Sequence, residues 1–159
     1  GERHHGKSQD AKNLPLIMVS HRCEYVATAS TAFMEDFYAK LERAIEASKR
    51  GFAYLHVYSP CTTGWRFPAQ KNIEVARAAV EANFAMLWEY SPPDGLRLTH
   101  PLDHPLPITA YLEAQGKFRH LSEEQVAHIQ RHVDENVALI RRLAEDRGAT
   151  RLLAATGRG

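Results

Sequence analysis

The chain has 159 residues, 20 Lys and Arg against 19 Asp and Glu, a formal net charge of +1, and a hydrophobic fraction of 44%. That is enough for one domain with a real core, and the composition is ordinary for a soluble globular protein. Cations interleaved with acids leave no nucleic-acid or membrane patch, no apolar run is long enough to span a membrane, and two cysteines fit a reducing cytoplasm better than a disulfide scaffold.

Residues 1–12 are polar, and read as a mobile lead-in in which His4 and His5 are solvated. Asn13 as N-cap with Pro15 just inside predicts a short helix over 14–20, laid on one side of a sheet. Residues 25–29 are β-branched and aromatic enough for a short buried strand. An amphipathic helix follows over 34–50, with Phe37, Leu41, Ala44 and Ile45 on its apolar face. Glu35 and Asp36 open it, and Gly51 stands at the expected C′ position. The apolar run 52–58 reads as a second buried strand. Strand, helix and strand with short joints predict a parallel βαβ unit.

Pro60 halts that strand, Thr62, Thr63 and Gly64 form a polar turn, and Trp65 is a large apolar anchor. Cys61 therefore falls just past the C-terminal end of a strand, the edge at which open α/β sheets bind ligands. On spacing alone it reads as a small buried hydrophobe, because no second cysteine or histidine stands at metal-ligand spacing.

A second amphipathic helix is expected over 71–84, with Ile73, Ala76, Val80 and Phe84 on one face. The runs 86–90 and 96–99 flank Ser91-Pro92-Pro93-Asp94-Gly95, which predicts a hairpin. Residues 100–107 carry three prolines and form an extended connector; 108–115 form a short helix ended by Gly116. Ser122 with Gln125 makes a capping box for a long helix to about residue 145, with Val126, Ile129, Val133, Val137, Ile140 and Leu143 in its buried stripe. His128 and His132 stand four apart on it but lack a third ligand, so they read as rim histidines. Residues 147–159 read as a loose tail.

Four stretches together resemble the β subunit of pyruvate:ferredoxin oxidoreductase and its 2-oxoacid:ferredoxin relatives. They are Asn13-Leu14-Pro15-Leu16-Ile17, Tyr25-Val26-Ala27-Thr28-Ala29-Ser30, Ser59-Pro60-Cys61-Thr62-Thr63-Gly64-Trp65 and Gln115-Gly116-Lys117-Phe118-Arg119-His120-Leu121. The resemblance runs over about 6–145 and corresponds to the C-terminal half of that subunit. It implies an α/β fold, the second half of a thiamine diphosphate-binding-type parallel-sheet domain (13–90) followed by hairpin, Pro-rich connector and C-terminal helices (91–146). It also implies that Cys61 is one thiolate ligand of a [4Fe–4S] cluster, the other three lying in the half not matched. Cys23 carries no such role.

The family binds thiamine diphosphate and Mg2+ through a Gly-Asp-Gly motif. None occurs here, so neither cofactor-binding nor catalytic residues are carried over. The implied function is part of a CoA-dependent oxidative decarboxylase of 2-oxoacids, of pyruvate type, which passes electrons through clusters to ferredoxin. Its partners would be the remaining half and other subunits of the complex, with no role for nucleic acid or membrane. The alternative is a non-catalytic structural or interaction subunit that keeps half of the fold.

Overall fold

The computed structural model describes residues 12–92 and 94–146; the expected lead-in up to residue 11, with His4 and His5, and the tail from 147 lie outside. Helix α1, Leu14–Ser20, starts where the Asn13 side chain accepts from the Leu16 N–H and Pro15 occupies the first turn. Strand β1, Tyr25–Ser30, follows, then helix α2, Met34–Ser48, and strand β2, Ala53–Tyr58. β1 and β2 pair in parallel from Tyr25 against Ala53 to Ser30 against Tyr58, as the βαβ reading requires. Strands β3, Trp88–Ser91, and β4, Gly95–Leu98, form the expected hairpin, with Gly95 at φ 77°. β3 also pairs antiparallel with β1, giving a sheet in the order β2-β1-β3-β4 with one parallel pair.

Side-chain alternation sorts the layers. On one face Val26, Trp88, Tyr90 and Leu96 pack with Val19 of α1, Cys23 and Ile140. Ile140 lies on the long helix α6, Glu123–Glu145, opened by the Ser122 capping box with both of its hydrogen bonds made. On the other face Tyr25, Ala27, Ala53 and Leu55 meet Ala44 and Ala47 of α2. A second core joins helix α4, Asn72–Glu81, helix α5, Ile108–Glu113, and Val133 of α6 around Phe67, Val75, Ala79 and Tyr111. Among the described residues no helix is long and apolar enough to cross a membrane.

Several expectations change. The run 52–58 is not a buried strand: among the described residues β2 pairs only with β1, and its residues are half-buried or exposed. In α2 the buried positions are Lys40, Ala44 and Ala47, so the register of the inner face is rotated from the predicted stripe. Leu41 and Ile45 are instead exposed, with Tyr38. Alanines and a lysine score weakly as apolar, yet the α2 layer needs small side chains to approach the sheet. The same applies to α4, whose inner face is Val75, Ala76, Ala79 and Val80 while Ile73 and Phe84 are exposed. Gly51 is no left-handed cap: a Cβ there would sit 2.8 Å from Glu24 Cγ, so the glycine admits a close approach. Gly116 does not cap α5, which ends at Glu113; it opens a 3₁₀ turn, Gly116–Phe118.

The α2 side of the sheet buries charge. Lys40 is fully enclosed, and its ammonium donates to Asp36 at 2.6 Å, to the Thr28 carbonyl at 2.7 Å and to Thr99 Oγ1 at 2.8 Å. Burial pushes its pKa down, and Asp36 pulls it back up. Glu89 on β3 accepts from the Tyr25 hydroxyl at 2.6 Å and from Arg43 at 2.9 Å, and pairs with Arg97. Burial, reinforced by this carboxylate, holds the Tyr25 phenol far above its usual range. Every donor of the Lys40 ammonium has an acceptor, which is the condition for keeping such a group inside.

Replacing Lys40 with Ala removes one partner from this enclosed set and is expected to cost about 3 kcal/mol or more in urea unfolding against the wild type. A loss below about 1 kcal/mol would show the network to be dispensable. Among the described residues the outer edge of β2 is unpaired, and Phe52, Val57, Tyr38, Leu41 and Ile45 are exposed, which predicts that this 159-residue chain associates when isolated. Sedimentation velocity checks it; a monomer that unfolds cooperatively would overturn the expectation.

Candidate functional site

β2 ends at Tyr58, and Pro60 is buried beyond it. The segment expected as a polar turn closes instead into one turn of helix, α3, Thr62–Trp65, with Cys61 as its N-cap. The Cys61 sulfur accepts the Gly64 N–H at 3.3 Å, and a Cβ at position 64 would lie 3.2 Å from that sulfur. Glycine thus leaves the thiol uncrowded. Cys61 is exposed, contrary to the buried reading that spacing alone suggested. Cys23 is the buried cysteine, 1% exposed among Val19, Val26 and Trp88, where burial pushes its thiol up.

What holds the α3 turn comes from fifty residues downstream. The Gly116 N–H donates to the Arg66 carbonyl at 3.1 Å. A Cβ at 116 would meet that oxygen at 2.7 Å, so only glycine permits the approach. Arg66 itself sits at φ 56° and turns the chain so that Phe67 enters the second core. Next to Gly116, the Lys117 ammonium lies 3.7 Å from the Trp65 ring centroid and 4.5 Å from that of Phe118. Burial pushes the Lys117 pKa down to about 8, opposed by attraction to the Cys61 sulfur. Beneath the turn Tyr58 and Tyr111 share a hydroxyl hydrogen bond of 2.6 Å, and burial raises both phenols. Phe84 stacks on Tyr111 with centroids 4.6 Å apart.

The other two stretches singled out in the sequence meet at a cleft of about 300 Å³ that is also lined by His56 and Tyr58 of β2. Its polar lining includes Asn13, Thr28, His56, Tyr58, Asn83 and Asn136, and Asn13 donates to Asn136 at 3.0 Å. Tyr58 belongs to both sites. His132 lines the cleft, but among the described residues no group of three or more His, Cys, Asp or Glu is placed to hold a metal ion. Sequence reasoning gave Lys117 no role. The signal was present in the Gln115-Gly116-Lys117-Phe118 stretch, but its proximity to Trp65 is tertiary and has no spacing rule.

Chemically, the arrangement presents one accessible thiol on a braced turn, a cation beside it and an aromatic floor. No protein-family model matches the chain. It is 68% identical over 145 residues to the NADH-dependent phenylglyoxylate dehydrogenase subunit beta of Aromatoleum evansii, covering 91% of this chain and 32% of that protein. It is 45% identical over 134 residues to pyruvate synthase subunit PorB of Methanothermobacter thermautotrophicus, covering 84% and 46%. It is 36% identical over 148 residues to ketoisovalerate oxidoreductase subunit VorB of Pyrococcus furiosus, covering 91% and 46%. The chain thus spans from about a third to just under half of the length of these relatives. Over that span it belongs to the β-subunit family of the 2-oxoacid:ferredoxin oxidoreductases.

Proposed function

We propose that this chain is part of the β subunit of an oxidoreductase that decarboxylates a 2-oxoacid, transfers the acyl group to CoA and passes the electrons through [4Fe–4S] clusters. The observation that carries the reading is 36–68% identity to oxidoreductase subunits over 84–91% of the chain. A non-catalytic structural subunit is not favoured, because all three relatives are named as parts of enzymes. Thiamine diphosphate with Mg2+ would supply the electron sink at the keto carbon. No residue of this chain is assigned to hold it; the 13–90 segment contributes fold and the 91–146 segment braces it.

Cys61 fits one corner of an iron–sulfur cluster. A soft thiolate is the required donor, the sulfur is exposed, and the Gly64 N–H already points at it, as hydrogen bonds to cluster sulfur do. Three further thiolates must come from other parts of the assembly, since Cys23 is enclosed in the core. Among pyruvate, ketoisovalerate and phenylglyoxylate, the 68% identity to the phenylglyoxylate enzyme supports an aryl 2-oxoacid as substrate. The name of that relative adds NAD to ferredoxin as a candidate electron acceptor.

In the assembled enzyme phenylglyoxylate is expected to give the highest kcat/KM of the three 2-oxoacids with CoA, assayed separately with ferredoxin and NAD+. Equal or better turnover of pyruvate would reverse the substrate assignment. Cys61→Ser exchanges a thiolate for a poor alkoxide ligand and is expected to lose one cluster, read as iron content and a missing electron paramagnetic resonance signal. Cys23→Ser should keep full iron. A Cys61 variant with its clusters intact would overturn the ligand assignment.

A further inference from the structure

Lys117 is held in a way that packing alone does not require. Its backbone is fixed by the Gly116 N–H on the Arg66 carbonyl, at the C-terminal end of the turn that carries Cys61. Its ammonium rests over two rings, Trp65 at 3.7 Å and Phe118 at 4.5 Å. Among the described residues it pairs with no carboxylate, whereas the enclosed Lys40 is paired with Asp36. An aromatic ring orients an ammonium without cancelling its charge, so the field of Lys117 stays available to its surroundings. Trp65 and Cys61 lie on the same helical turn, and the ammonium over Trp65 is close enough to interact electrostatically with the Cys61 sulfur.

We propose that Lys117 is a positioning residue whose fixed positive charge raises the reduction potential of the cluster bound through Cys61. The inference rests on the cluster reading above. Reduction adds one electron to the cluster and no proton or ligand moves. A cation nearby favours the reduced state over the oxidised one, and does so strongly where protein replaces water. The electron comes from the 2-oxoacid and leaves to the next carrier, so the charge at Lys117 sets how readily this cluster is filled. Gly116 and the two rings serve to keep that charge at one distance.

The test uses the assembled enzyme with Lys117→Met, which keeps a long apolar stem over Trp65 but removes the charge, and Lys117→Arg, which restores it. The cluster to follow is the one whose signal disappears in Cys61→Ser. Redox titration by electron paramagnetic resonance is expected to show full iron in both variants. The midpoint should shift downward in Lys117→Met, with the reduced fraction at a fixed poise falling several-fold, and should return toward wild type in Lys117→Arg. If the Met variant assembles poorly, Lys117→Gln is titrated in its place. An unchanged midpoint in the neutral variant, or an equal shift in the Arg variant, would reduce Lys117 to a packing brace. A cluster that survives in Cys61→Ser would instead defeat the cluster reading itself.

Discussion

Strand β1 has no free side. It pairs with β2 along one edge and with β3 along the other, while α1 and α6 cover one face and α2 the other. Its residues are correspondingly small or tightly partnered. Ala27 and Ala29 let α2 come close, and Thr28 works with both its side chain and its backbone. The Thr28 hydroxyl donates to the Met86 carbonyl at 2.7 Å and accepts the Trp88 N–H at 2.9 Å, taking the place of a ladder bond where β3 diverges. Its carbonyl receives the Lys40 ammonium. The hairpin, the α2 layer and the parallel partner that leads to Cys61 are thus all referred to six residues, and errors in β1 register would displace each of them.

Much of this was legible in the sequence for local reasons. Asn13 with Pro15 and Ser122 with Gln125 encode helix starts in side chains a few residues apart, and both are made as read. The hairpin and the parallel pair followed from turn chemistry and joint length. The α6 stripe is turned inward as read, and Ala44, Ala76 and Val80 are buried as read; what failed was the placing of the large apolar residues of α2 and α4 on the inner face. Periodicity weighs hydrophobic residues by size, whereas α2 and α4 meet their neighbours through small side chains, and α2 through a lysine that is paired with Asp36 one turn before it and whose remaining acceptors come from β1 and from Thr99. Leu41, Ile45 and Ile73 then read as core but remain on the outside.

The site divides in the same way. The position of Cys61 past a strand end was readable from Pro60, but its exposure was not, because spacing without a second ligand describes an inert thiol as well as an active one. Only the ordered set of four stretches argues for the active reading. Lys117 and Gly116 stayed silent because their importance lies in a partner fifty residues away, and a glycine tolerating 2.7 Å to a carbonyl oxygen looks in sequence like any turn glycine.

The Gly116 clamp has a consequence for how the subunit matures. The ribosome delivers Cys61 and its helical turn well before residues 116–118, so during synthesis the thiol emerges on a turn that lacks its brace and its ring-bound cation. The geometry around the sulfur is complete only after α5 has docked and the Gly116 N–H has closed on Arg66. On the proposed cluster reading, metal delivered earlier would meet an unbraced, solvent-facing cysteine, open to oxidation or to the wrong ion. Under that proposal, late closure of the clamp orders assembly, with folding of the C-terminal helices ahead of cluster loading.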